Sequence, residues 1–171
     1  MRKIYIVSIL LFLITFNTQA DGDLDSVSLT ASHFKESGGD HSGIELSALM
    51  ASKSPFALRL SAVIYSDESS AKIQNVYGGF SATGYFHLNQ KYVNPYIGLG
   101  LYAGETFNCS DSEDKDGTCI EDIVLAAFPE VGIGITIGRF HLFPFVRRYF
   151  DTNSHAGSTS AYGLHVGFTL E

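Results

Sequence analysis

The feature that most constrains this chain is an alternation of connection lengths between runs of period-two sequence. Eight runs read as β-strands, approximately Ser26–His33, Gly43–Ala51, Phe56–Tyr65, Val76–Leu88, Val93–Phe107, Ile123–Ile137, Phe140–Phe150 and Ala161–Leu170. Four long polar stretches lie between them: Phe34–Gly43, Ser66–Asn75, Glu105–Asp122 and Asp151–Ser160. These alternate with short turns near Ser52–Pro55, Asn89–Lys91 and Gly138–Arg139. Direct connections of this kind join antiparallel neighbours, because a parallel pair needs a long crossover. The sheet they build is polarised, with long loops at one end, tight turns at the other and both termini on the tight side.

Several strands alternate with period two, the first most weakly, with only Val27, Leu29 and Ala31 on its apolar face. In the second, Ile44, Leu46, Ala48 and Met50 oppose Glu45 and Ser47. In the third, Phe56, Leu58, Leu60, Ala62 and Ile64 oppose Ala57, Arg59 and Ser61. In the sixth, Val131, Ile133, Ile135 and Ile137 oppose Glu130, Gly132, Gly134 and Thr136. The last sets Tyr162, Leu164, Val166, Phe168 and Leu170 against Gly163, His165, Gly167 and Thr169. The seventh is ambiguous: Phe143 and Phe145 share one face, Leu142 and Val146 the other, and Arg147-Arg148 puts a cation on each, so a bulge there would re-aim one arginine.

One face of these strands is bulky and, over several strands, free of charge. The other is glycine, serine and threonine with isolated Glu45, Arg59, Glu130 and His165. Small residues cover a solvated surface poorly but suit a narrow polar interior, whereas lipid contact demands a face without charge: Arg or Lys at a bilayer midplane costs about 2–4 kcal/mol. The later strands reach the roughly 9–11 residues that a tilted span requires. The expected fold is therefore all-β, an eight-stranded antiparallel up-and-down transmembrane β-barrel closed between its first and last strands, with no edge left unpaired. Aromatics near both strand ends, among them Phe34, Tyr65, Tyr77, Tyr149, Phe150 and Tyr162 at one and Phe56, Phe86, Tyr96, Phe140 and Phe168 at the other, are expected to form two interfacial belts.

Residues 1–20 read as a cleaved signal peptide: Arg2 and Lys3, an apolar run from Ile4 to Phe16, then Thr18-Gln19-Ala20 at the cleavage position. The barrel domain is then 21–171, or 171 − 20 = 151 residues. The leader holds two of the eleven basic and none of the eighteen acidic residues, so the mature charge is 9 − 18 = −9. Such a balance argues against nucleic acid, whose phosphates need clustered cations. Export into an oxidising compartment makes a disulfide between Cys109 and Cys119 the default; it closes a loop of about ten residues, worth roughly 3 kcal/mol in the chain-entropy account.

The segment Asn94-Pro95-Tyr96-Ile97-Gly98-Leu99-Gly100-Leu101-Tyr102-Ala103-Gly104 and the closing Tyr162-Gly163-Leu164-His165-Val166-Gly167-Phe168 resemble strands of the small bacterial outer-membrane barrels, the OmpA-like and OmpX-like membrane domains. The likeness extends over the mature chain as a pattern. It implies an outer-membrane location, insertion by the outer-membrane assembly machinery, short turns in the periplasm and long loops outside the cell. The chain departs from that family by ending Phe168-Thr169-Leu170-Glu171 rather than on an aromatic residue, and no peptidoglycan-binding domain follows the barrel.

Several constellations bear on function. The long loops hold twelve acidic residues against Lys35, Lys72 and Lys115. Beside anionic lipopolysaccharide they are either solvated charge or a surface bridged by divalent cations. Asp114 and Asp116, ahead of Gly117, have the spacing of an EF-hand core and are weak metal candidates, since Ser112 and Ile123 occupy the opening and closing ligand places. Inside the barrel, Arg59 and one of Arg147 or Arg148 are expected to pair with Glu45 and Glu130 and plug it, because buried charges must be compensated. Asp151, Ser154, His155 and Ser158 share a loop, but nothing there orients a nucleophile against a base.

These residues point to a monomer without cofactor or catalytic residues, with a structural or surface-interaction, adhesion-type role. Its partners are outer-membrane lipid and lipopolysaccharide, the assembly machinery and an extracellular partner. A lipid A-modifying deacylase or acyltransferase and a small pore are the alternatives.

Overall fold

The computed structural model describes residues 24–37, 41–52, 55–67, 75–88, 93–109, 119–151 and 158–170; of residues 24–25, 67, 75, 106–109, 119–122 and 151 only the backbone is described. The signal-peptide segment lies outside the described residues, as do Asp114, Asp116, Ser154 and His155.

Eight strands are present: β1 Leu24–Glu36, β2 His41–Ser52, β3 Phe56–Asp67, β4 Asn75–His87, β5 Val93–Cys109, β6 Cys119–Ile137, β7 Phe140–Asp151 and β8 Thr159–Leu170. Each pairs antiparallel with its sequence neighbours, and β1 pairs with β8 from Val27↔Leu170 to Glu36↔Ala161, which closes the barrel. The expected fold class and strand order are those observed.

The strands run further toward the long-loop end than alternation indicated. Lys35 pairs with Ser42, so the first long stretch is mostly strand, and β5–β6 continues to Cys109↔Cys119. Hydrophobic alternation reports only the part of a strand that has one greasy face. The backbone ladder continues past it through polar residues such as Thr106↔Asp122. At the other end, β6 and β7 are joined through Gly138 at φ 62° and Arg139, which has no positive φ. A positive first residue followed by a negative one is the type II′ pattern, whose twist matches that of the flanking strands.

Leu58, Leu99, Leu101, Val131, Ile133, Val146 and Val166 all point outward and stay exposed, as do large apolar side chains on every strand. A water-soluble monomer rarely shows more than a few hundred Å² of contiguous apolar surface. Here it encircles the molecule. Inside, Ser28, Thr30, Ser47, Ser61, Ser81 and Thr83 are buried.

In β7 the register with β6 runs from Ala126↔Asp151 to Ile137↔Phe140 without a shift, so the strand needs no bulge. Phe145 and Arg147 are buried, while Val146 and Arg148 are exposed. The inward arginine is Arg147. Arg148 stays outside near the long-loop end, donating to Ser158 Oγ at 2.6 Å.

The aromatic belts need correction. Phe56 stacks edge-on with Phe86 at 5.3 Å and Phe140 with Phe168 at 5.4 Å on the outside of the turn end, and Phe150 and Tyr162 are exposed at the other. Phe34 and Tyr96 are instead buried in the barrel. Tyr65 and Tyr77 stack inside it at 4.3 Å, and Tyr149 turns in to meet Arg147. Their places in the inward alternation decide this; nearness to a strand end does not fix a face. Inward rings need flat neighbours. A Cβ on Gly98 would meet Tyr85 Cδ1 at 2.7 Å, and one on Gly100 would collide with the ring of Phe128.

Candidate functional site

The candidate site is the charged centre of the lumen. Glu45 of β2 and Glu130 of β6 are fully buried, and Arg59 of β3, Arg147 of β7 and His165 of β8 are nearly so. Period-two alternation delivers each to the interior, and the barrel's width brings them together. The Arg59 guanidinium donates through Nη2 to Glu130 Oε2 at 3.0 Å and lies, through Nε, 3.3 Å from Glu45 Oε1. Arg147 Nη2 bridges the same two carboxylates, 2.9 Å from Glu45 Oε2 and 3.0 Å from Glu130 Oε2. Two anions and two cations thus form a closed, electrically neutral square.

Hydroxyls fill the remaining acceptor positions. Tyr85 and Tyr96 both donate to Glu130 Oε1, at 3.0 and 3.1 Å, and Ser61 donates to Glu45 Oε1 at 2.5 Å. Arg147 Nη1 donates to the Tyr149 hydroxyl at 2.9 Å, and Ser32 Oγ donates to the Glu45 carbonyl at 3.3 Å. Arg59 Nη1 also contacts His165 Nε2. With Tyr85 on β4, Tyr96 on β5 and Ser32 on β1, every strand contributes to one network.

Rings close the space around it. The Arg147 guanidinium carbon lies 4.4 Å from the Phe145 ring centre, 5.0 Å from Phe128 and 5.5 Å from Phe34, and Arg59 lies 4.9 Å from Tyr85. His165 stacks on Phe145 at 4.1 Å. Cation–π contact of this kind stabilises a desolvated guanidinium by about 2 kcal/mol. On the turn side a cavity of about 170 Å³ opens, bordered by His87, Asn94, Thr136 and His141. There His141 contacts Thr169 and lies 3.1 Å from Thr136 Oγ1.

Chemically, the centre is suited to holding strands together. Its carboxylates accept from arginine, tyrosine and serine donors, and its guanidiniums lie against aromatic rings. Sequence reasoning overlooked Tyr85 and Tyr96 as partners of Glu130. Their signal was parity: Tyr85 shares its face with Ser81 and Thr83, and Tyr96 with Gly98 and Gly100. Cys109 and Cys119 face each other across the β5–β6 register at the backbone level. Among the described residues no cluster of three or more His, Cys, Asp or Glu could hold a metal ion.

A closed eight-stranded antiparallel barrel, greasy outside and charged within, is the fold of the small outer-membrane barrels. The chain is similar in structure to the N-terminal β-barrel domain of Pseudomonas aeruginosa OprF (TM-score 0.66, 18% identity, 86% of this chain and 98% of that one). It is also similar to Neisserial surface protein A (TM-score 0.63, 13% identity, 84% and 95%) and to the outer membrane enzyme PagL (TM-score 0.52, 12% identity, 82% and 98%). At such identities the likeness is one of fold, and a fold shared with an enzyme does not decide activity. No family model and no curated protein matches the chain.

Proposed function

We propose that this protein is an integral barrel of the bacterial outer membrane, sealed by its central ion-pair network, with a non-catalytic role in envelope structure or surface interaction. The observation that carries this reading is the pairing of an apolar exterior, whose described strand charges lie only toward the long-loop end, with the Glu45–Arg59–Glu130–Arg147 square. The exterior suits hydrocarbon. The square spends its charges on each other and leaves none to conduct ions or activate a substrate. Residues 1–20 fit an export signal removed on the way, and the acidic loops would then face outward as the part free to meet a partner.

The test combines fractionation with electrophysiology. The protein should be recovered in the outer-membrane fraction, migrate differently on a detergent gel before and after boiling, and give no large stable conductance in planar bilayers. Recovery in the soluble periplasmic fraction, or a steady open channel, contradicts the proposal.

A further inference from the structure

The outer surface of the barrel is not uniform. Within the strands, among side chains that are described, the outward-facing charges are Lys35, Arg148 and Glu105. The two cations lie at the long-loop ends of β1 and β7, which flank β8, whereas Glu105 lies on β5, across the closed barrel from β1. Register brings the cations to within two residues of one level along β8. Lys35 pairs with Tyr162, Arg148 pairs with Ser160, and the Ser37 amide donates to the Ser160 carbonyl at 2.6 Å. Two strand spacings and a two-residue offset separate them, about 12 Å between backbones. In a chain of net charge −7, two cations grouped on one lipid-facing rim are not background.

Below them the surface is grooved. Ala31 has Leu46 on one side and Val166 on the other, so a methyl lies in a valley between two larger side chains. The groove has a volume of about 930 Å³, with Ile44 and Leu164 extending its walls and His33, Lys35 and Tyr162 at its upper end. Ala31 and Lys35 are four residues apart on one strand, about 13 Å. A ligand that fills this surface must be apolar over that length and anionic at its top.

We propose that the β7–β8–β1–β2 face is a docking site for one phosphorylated, acylated glycolipid of lipid A chemistry. Its phosphates meet Lys35 and Arg148, its sugar lies against His33 and Tyr162, and one acyl chain runs over Ala31 between Leu46 and Val166. The inference rests on the membrane reading above. A lipid is favoured over a protein because the groove is continuous with the hydrocarbon-facing surface, and the cations sit at the end expected to face the outer leaflet. Arg148 is poised there by its bond to Ser158 Oγ and its place 5.5 Å from the Phe150 ring.

Native mass spectrometry of the folded mature chain, titrated with bisphosphorylated lipid A, with lipid A stripped of its phosphates and with phosphatidylglycerol, tests the site. Wild type should bind the bisphosphorylated lipid best. The Lys35→Gln/Arg148→Gln variant should lose about thirtyfold in affinity, and Glu105→Gln should lose none. Heat-modifiable migration on a gel establishes that each variant is folded. Equal binding of bisphosphorylated lipid A by wild type and the double variant overturns the site. Equal binding of the stripped lipid or of phosphatidylglycerol by wild type overturns its glycolipid phosphate chemistry. If wild type inserts into vesicles in those cases, the membrane reading survives; if it fails to insert at all, both fall together.

Discussion

Arg147 and Glu130 stand directly opposite each other in the β6–β7 ladder, and their side chains meet 3.0 Å apart in the lumen. A cross-strand pair that would be worth little on a wet surface is here fully enclosed, and Arg147 reaches from it to Glu45 on the far side of β1 and β8. The consequence is a barrel tied across its interior as well as around its wall.

Removing Arg147 leaves two buried carboxylates sharing one guanidinium. Arg147→Met should therefore cost about 3–5 kcal/mol of folding stability. Arg148→Met, on the exposed face, should stay within about 0.5 kcal/mol. Urea unfolding in lipid vesicles, read by heat-modifiable migration, compares the two.

Arg59 and Glu130 should behave as one unit. In a double-mutant cycle with Arg59→Gln and Glu130→Gln, the double variant should be more stable than the sum of the single losses by about 0.5–3 kcal/mol. The same unfolding assay measures it; strict additivity would mean the 3.0 Å bond contributes nothing.

Gly100 lies flat beneath the ring of Phe128, so Gly100→Ala should destabilise by about 1–3 kcal/mol through overpacking. Adding Phe128→Leu should restore part of that loss, because the colliding ring atoms are gone. A Gly100→Ala variant as stable as wild type would mean the ring is free to move aside.

The barrel was legible because one polarised loop pattern and the alternation of several strands agree from Ser26 to Leu170. The site was legible only in part. Glu45, Arg59 and Glu130 share alternation with serine and glycine, which marks their face, but who meets whom depends on strand stagger, which no local pattern carries. Tyr96 and Phe34 were misplaced for a related reason: an aromatic near a strand end has the same local sequence signal whether it faces lipid or lumen. For β7, phenylalanine on the inward side hid the polar face, and the unshifted register from Ala126↔Asp151 to Ile137↔Phe140, with Arg147 buried and Arg148 exposed, separates the two arginines.

Directly opposed residues in an antiparallel ladder lie about 4.5–5.5 Å apart at Cα, within disulfide reach. The Cys109↔Cys119 pairing therefore predicts a bond when the protein is exported. Unfolded, unreduced protein should show no maleimide-reactive thiol, and reduction should release two. Two reactive thiols before reduction would contradict the prediction.

The central claim, that the greasy face meets hydrocarbon, is tested most directly by an arginine scan along the outward side of β5. Leu99 and Leu101 are 68% and 66% exposed near the middle of that strand, and Val93 and Glu105 lie nearer its ends. Folding free energy in lipid vesicles should fall by about 2–4 kcal/mol for Leu99→Arg and by about 0–1 kcal/mol for Val93→Arg or Glu105→Arg. A flat profile, with Leu99→Arg as stable as the end positions, would contradict the account.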